Sequence, residues 1–217
     1  MILSRRSLVG LFAAIPIAAA AEPCCGPVTP AGARLVAFLD GTGVDRLWLP
    51  GSQVNWQTGA PTAVWSNTAS SHTHCSAFAA SASMRLGVYV LRPPDHDEKL
   101  LANAQMGWLR SADATAKGWR QLPDVQAAQA RANAGDLVLA AFENPNPHKS
   151  GHIAIVRPSD IDAATLLASG PFVTEAGQRN ALSISLQGGF ASHRGAWVPG
   201  GGGGIGFFAH TIDWSAL

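Results

Sequence analysis

The 217-residue chain is long enough for one domain with a real core and short for two. Charged residues are 13% of it, about half the usual share of roughly 25%, and the formal net charge is +1. That balance removes the electrostatic basis for nucleic acid or an anionic membrane as the main partner, and neither is expected.

In chain order, the first element reads as an address. Paired arginines, Arg5 and Arg6, precede an apolar run from Leu8 to Ala21 that ends in small residues, as in a cleavable export signal. The run is short for a membrane span and Pro16 interrupts it. Arg5-Arg6 followed by Ser7 and Leu8 resembles a twin-arginine signal, so residues 1–21 are set apart as a leader and the mature protein is expected outside the cytoplasm, periplasmic or secreted, without an integral membrane span. Arg5 and Arg6 are the leader's only charges, and without them the net charge is −1. Export gives the three cysteines meaning, because thiols pair in an oxidising compartment. Cys24 and Cys25 are adjacent, and a bridge between them, a partner in another chain and simple exposure all stay open. Cys75 is the odd cysteine and the candidate reactive thiol.

Residues 22–71 read as a linker and irregular segment packed on the core, and 72–217 as the main domain. "GPVTPAG" (26–32) is a linker, and "ARLVAFLDG" a short helix stopped by Gly41. The Gly-, Pro- and Asn-rich stretch 47–71 is expected to be irregular and pinned to the core by Trp48, Trp56 and Trp65. The stretch 76–86 reads as a helix ended by Gly87. Its side chains are nearly all small, which predicts close packing against a sheet. "DEKLLANAQMGWLRS" has helical spacing, with Leu100, Leu101 and Leu109 as core, and "DVQAAQARANAG" is a helix capped by Asp124 and ended by Gly135. The text then changes to β-type runs: "DLVLAAF", "HIAIVRP", "GPFVTEAG", "ALSISL" and "IGFFAHTI". Helices first and an antiparallel sheet behind them predict an α+β domain.

A cysteine nucleophile needs an ionised thiol, a base in hydrogen-bond reach and a third group that orients the base. Cys75 stands at the expected start of the small-residue helix, where unpaired N–H groups favour a thiolate and can hold an oxyanion. Of the seven histidines, His152 has the best context, because it follows Gly151 and opens a strand. "VTEAGQRN" offers Glu175, Gln178 and Asn180, any of which can accept the imidazole Nδ1–H; spacing does not choose between Glu175 and Asn180. Ser71, His74 and Gln178 are weaker candidates for holding the oxyanion or the substrate.

"THCSAFAAS", "AGDLVLAAF", "SGHIAIVRP" and "GPFVTEAGQRN", in that order, resemble the papain-like amidases and peptidases of bacterial cell walls, the CHAP class and its NlpC-like relatives. The resemblance runs from Thr73 to Asn180. It implies a papain-like fold in which the cysteine-bearing helix packs on a small antiparallel sheet, here with a helical insert at 93–134. It also implies Cys75 as nucleophile, His152 as general base, Glu175 or Asn180 as the third residue, and hydrolysis of an amide in peptidoglycan peptides. Transfer through the same acyl-enzyme is the variant reaction. No metal or organic cofactor is expected, a monomer is expected, and whether an immunity partner exists stays open.

Two rivals stand beside this reading. "HTHC" places His72, His74 and Cys75 together, and His148 or His152 would complete a zinc tetrahedron, although the spacing matches no familiar zinc motif. Alternatively, the seven tryptophans line the groove of a non-catalytic module that binds cell-wall glycan or peptide.

Overall fold

The computed structural model describes residues 23–64, 73–201 and 203–217. The leader, Trp65, Ser71 and His72 lie outside the described residues. The fold is mixed α+β. Among the described residues, a two-stranded antiparallel sheet stands beside a six-stranded one. No helix there is long and apolar enough to cross a membrane.

The first helix, α1 (Pro30–Asp40), starts where the sequence puts two start signals together: Thr29 caps it by accepting from the Gly32 N–H, and proline opens its first turn. The expected linker at 26–32 is therefore mostly cap and helix. It is tied to the core, because Thr29 bonds the Asn133 carbonyl through both its N–H and its hydroxyl. The stretch expected to be irregular holds a small sheet, β1 (Ser52–Val54) with β2 (Pro61–Val64). Trp48 is buried against Phe78, and Trp56 packs on the same core.

The small-residue helix is α2 (Cys75–Arg85). It buries every residue from Cys75 to Ser83, and Gly87 follows it at φ +69°, a left-handed conformation that suits glycine. After it come α3 (Leu101–Leu109), α4 (Ala112–Ala116), β3 (Arg120–Leu122) and α5 (Val125–Asn133), with Asp124 capping α5 through the Ala127 N–H. Leu101 and Leu109 are core, but Leu100 is only half-buried and lines a cleft. The sheet continues with β4 (Leu137–Phe142), β5 (His152–Val156), β6 (Phe172–Glu175), β7 (Ala181–Ser185) and β8 (Gly206–His210). Two short helices, α6 (Ala163–Ser169) and α7 (Leu186–Gly189), interrupt the run of strands that was expected to follow the helices. The order across the large sheet is β3-β8-β4-β5-β6-β7, and each pairing is antiparallel.

Both faces of this sheet are covered, so β4 and β5 are continuous apolar runs and not alternating ones. The two-residue period still sorts their side chains. Leu137, Leu139, Ala141, Ile153 and Ile155 pack with α2 and α3, while Val138, Ala140, Phe142, Ala154 and Val156 pack with α5, α6 and α7. The helical insert at 93–134 is part of this sandwich: it lays α3 on one face, adds β3 at the sheet's edge and returns as α5 on the other face.

Alanine is what lets α2 lie close to β5 and β6, with Ala79 and Ala80 wholly buried. Ala79→Leu is expected to cost about 1–3 kcal/mol by overpacking, against no more than about 0.5 kcal/mol for the exposed control Ala164→Leu. Denaturant or thermal melts of the two variants check this.

Candidate active site

Three elements place the site at one end of the large sheet. β4 ends at Phe142, which pairs with His152 at the start of β5, so the 143–151 turn lies at that end. β5 runs antiparallel to β6, which ends at Glu175, so the 176–180 turn lies there too. α2 crosses the same face and presents its first residue, Cys75.

Local sequence fixes each side chain. Gly151 has no room for a side chain: a Cβ there would lie 2.0 Å from the Phe142 carbonyl oxygen and 2.5 Å from Asn103 Oδ1. Asn103, on α3, holds the turn by donating to the Lys149 carbonyl and accepting from the Asn144 N–H. His152 and Glu175 are 4% and 2% exposed, and His152 Nε2 lies 2.6 Å from Glu175 Oε2. Cys75, 5% exposed, is within hydrogen-bond reach of the same imidazole. Nε2 is committed to Glu175, so the nitrogen left for the sulfur is Nδ1. The third group thus takes the opposite ring nitrogen from the one expected.

Burial by itself pushes the imidazole pKa down. The charge and hydrogen bonds of Cys75 and Glu175 outweigh that and hold His152 up at about 10. An imidazolium beside the Glu175 carboxylate is the state this site favours at neutral pH. The first backbone bond of α2 runs from the Phe78 N–H to the His74 carbonyl, so the N–H groups of Cys75, Ser76 and Ala77 stand outside the helix's own ladder, at its positive end.

Glu175 and Asn180, which spacing left as alternatives, separate cleanly. Asn180's hydrogen bonds go elsewhere than His152. Its Oδ1 accepts from the Gly177 N–H, and its Nδ2 donates to the carbonyls of Val44, Leu47 and, at 3.3 Å, Trp48, clamping the 44–48 segment to the β6–β7 turn. His74 is buried, and its Nε2 donates to the Ser52 carbonyl at 2.6 Å, so that N–H is directed at β1. Gln178 is exposed and lines the cleft. Ser71 lies outside the described residues. So does His72, on which the zinc reading leans; among the described residues no three His, Cys, Asp or Glu side chains group to hold a metal ion. Cys24 and Cys25 form a disulfide with each other, well away in sequence from Cys75.

Sequence reading missed the walls of the site. Phe190 meets the His152 ring edge-on at 4.6 Å, and His193 stacks on it at 5.2 Å with 12° between the planes. Burial and the adjacent His152 push His193 down to about 4, so it stacks as a neutral ring. Gly189 in α7 backs the carboxylate so closely that a Cβ would lie 2.5 Å from Glu175 Oε2, and one at Gly177 would lie 3.2 Å from His152 Cε1. The signal available was the "QGGFASH" run, whose paired glycines stand directly before an aromatic and a histidine. A cleft of about 1080 Å³ opens over the pair, lined by His74, His152, Glu175, Leu100 and His193 among others. Cys75 sits behind that wall, next to residues that line it.

The chain matches no protein-family model and no curated protein.

Chemically, the arrangement can hold a thiolate beside an imidazolium, accept negative charge at a helix start and keep the proton donor fixed. Glu175→Gln removes the charge that offsets burial, and Gly189→Ala pushes the carboxylate away from the ring. Each is expected to lower the His152 titration midpoint by about one to three pH units, read by NMR of the ring. Asn180→Ala is expected to leave that midpoint in place while costing about 1–3 kcal/mol of stability from carbonyls that lose their donor, read by denaturant melts.

Proposed function

We propose that this chain is an exported cysteine amidohydrolase or peptidase with a papain-like core, acting on an amide bond in peptidoglycan peptides. The observation that carries the reading is the buried pairing itself. Cys75 opens a helix within reach of His152, and the other nitrogen of His152 is held by Glu175. The ordered motifs from Thr73 to Asn180 support the choice of cell-wall peptide as substrate, and the leader with Arg5-Arg6 supports action outside the cytoplasm.

The reaction would proceed by acyl transfer. The Cys75 thiolate attacks the amide carbonyl carbon, forming the C–S bond and placing the carbonyl's electron pair on oxygen. Backbone N–H groups at the start of α2 receive that oxyanion. The tetrahedral intermediate collapses, the C–N bond breaks, and Nδ1–H of His152 protonates the leaving nitrogen, so that an amine departs. Neutral His152 then takes a proton from water as it attacks the thioester. The acid leaves, and the proton returns to the thiol–imidazole pair. Glu175 stays ionised throughout, keeping the ring's tilt and its charge.

Cys75→Ala is expected to abolish conversion of purified muropeptides. His152→Ala is expected to reduce it by about 10²–10⁴-fold, the usual worth of a general acid–base group. Mass spectrometry of the muropeptides before and after incubation reads both. Undiminished conversion by either variant contradicts the proposal.

A further inference from the structure

The two hairpin turns that frame the site each carry one cation into the cleft. Lys149 lies in the β4–β5 turn, three residues before His152, and Arg179 in the β6–β7 turn, four residues after Glu175. Both residues line the cleft, both are exposed, and neither makes an ion pair among the described residues. Lys99 lines it as well, but it also borders the neighbouring hollow, where Asp97 and Glu143 stand.

Two acids line the cleft. Glu175 is paired with His152, and Glu98 is exposed and stands next to Lys99, another lining residue, which leaves Lys149 and Arg179 in excess. The cleft is therefore cationic in a chain whose overall charge is near zero. Unpaired cations beside a concave site concentrate anions there, and a guanidinium can grip a carboxylate through two parallel bonds.

We propose that this cleft is a binding site for a peptide carrying free carboxylates next to the scissile amide, with Lys149 and Arg179 as the residues that meet them. The inference rests on the proposed function for its amide, and on the placement of the two cations for its charge. The anionic groups native to a peptide are carboxylates, which is why these are named and not phosphate. Lys149 and Arg179 are specificity residues and touch none of the reacting atoms.

Alkylation of Cys75 tests this without a known substrate. Iodoacetate is a small carboxylate and iodoacetamide its neutral counterpart; both lose iodide to the same sulfur. The rate with iodoacetate divided by the rate with iodoacetamide reports the charge of the approach, and the iodoacetamide rate alone reports the thiol. At low salt, K149Q/R179Q is expected to lower the ratio by about three- to tenfold, and about 1 M salt is expected to erase the difference between the variant and the unmodified protein. With muropeptides, the same variant is expected to raise KM for free-carboxylate forms more than for their amidated counterparts. An unchanged ratio together with a fast iodoacetamide reaction overturns this inference and leaves the nucleophile standing. A slow iodoacetamide reaction in the unmodified protein overturns the nucleophile, while a ratio that still falls in the variant supports the cationic approach on its own.

Discussion

A histidine buried to 4% exposure cannot stay charged without close partners that favour the charge, and here Cys75 and Glu175 both do so, Glu175 at Nε2. The rest of the site answers that constraint. Glu175 is brought to Nε2 at hydrogen-bond distance and kept there by a glycine backbone, since at Gly189 any side chain would occupy the space of the carboxylate. The neutral rings of Phe190 and His193 close the faces of the imidazole without adding charge. Loss of the Glu175 carboxylate would leave a buried cation underpaired, a condition that typically costs about 3–5 kcal/mol. Function and local stability therefore draw on the same contacts.

The scaffold supplies precision by tying loops to regular elements. Two asparagines do most of this near the site. Asn103 reaches from α3 to the 143–151 turn that leads into His152, and Asn180 ties the 44–48 segment to the turn that follows Glu175. A third, Asn133, buried at the end of α5, donates to the Gly26 and Ser159 carbonyls and accepts from the Ser159 N–H, joining the N-terminal segment to the back of the sheet. Both faces of the sheet are covered by helices, so β5 is held from both sides and His152 projects from a rigid edge.

The long apolar runs made much of the fold legible. Strands β4 and β5, the small-residue helix α2 and the capped helix α5 stand where pattern and end signals put them, because long segments with both ends marked constrain themselves. Short pieces escaped: β3 has three residues and α7 four, too few for a period to show. The 47–71 stretch hid β1 and β2 because its turn residues mask two brief strands whose pairing is bulged. At the site, Cys75, His152 and Glu175 were legible as chemistry. The choice between Glu175 and Asn180 was not, because it depends on long-range contacts: Glu175 meets a strand 23 residues earlier, while Asn180, in the turn, reaches the 44–48 segment. His193 was missed as a wall of the site, since the "QGGFASH" run that carries it marks a tight turn without showing that it packs on β5.

The meeting of sulfur and imidazole is the claim on which the account stands, and a bifunctional reagent measures it directly. In 1,3-dibromoacetone each bromide can be displaced, first by the Cys75 thiolate and then by a nitrogen only if that nitrogen is adjacent. Peptide mapping of the treated protein is predicted to find Cys75 and His152 joined by a single acetone bridge. Cys75 alkylated but unlinked, or linked to a different side chain, would contradict the account.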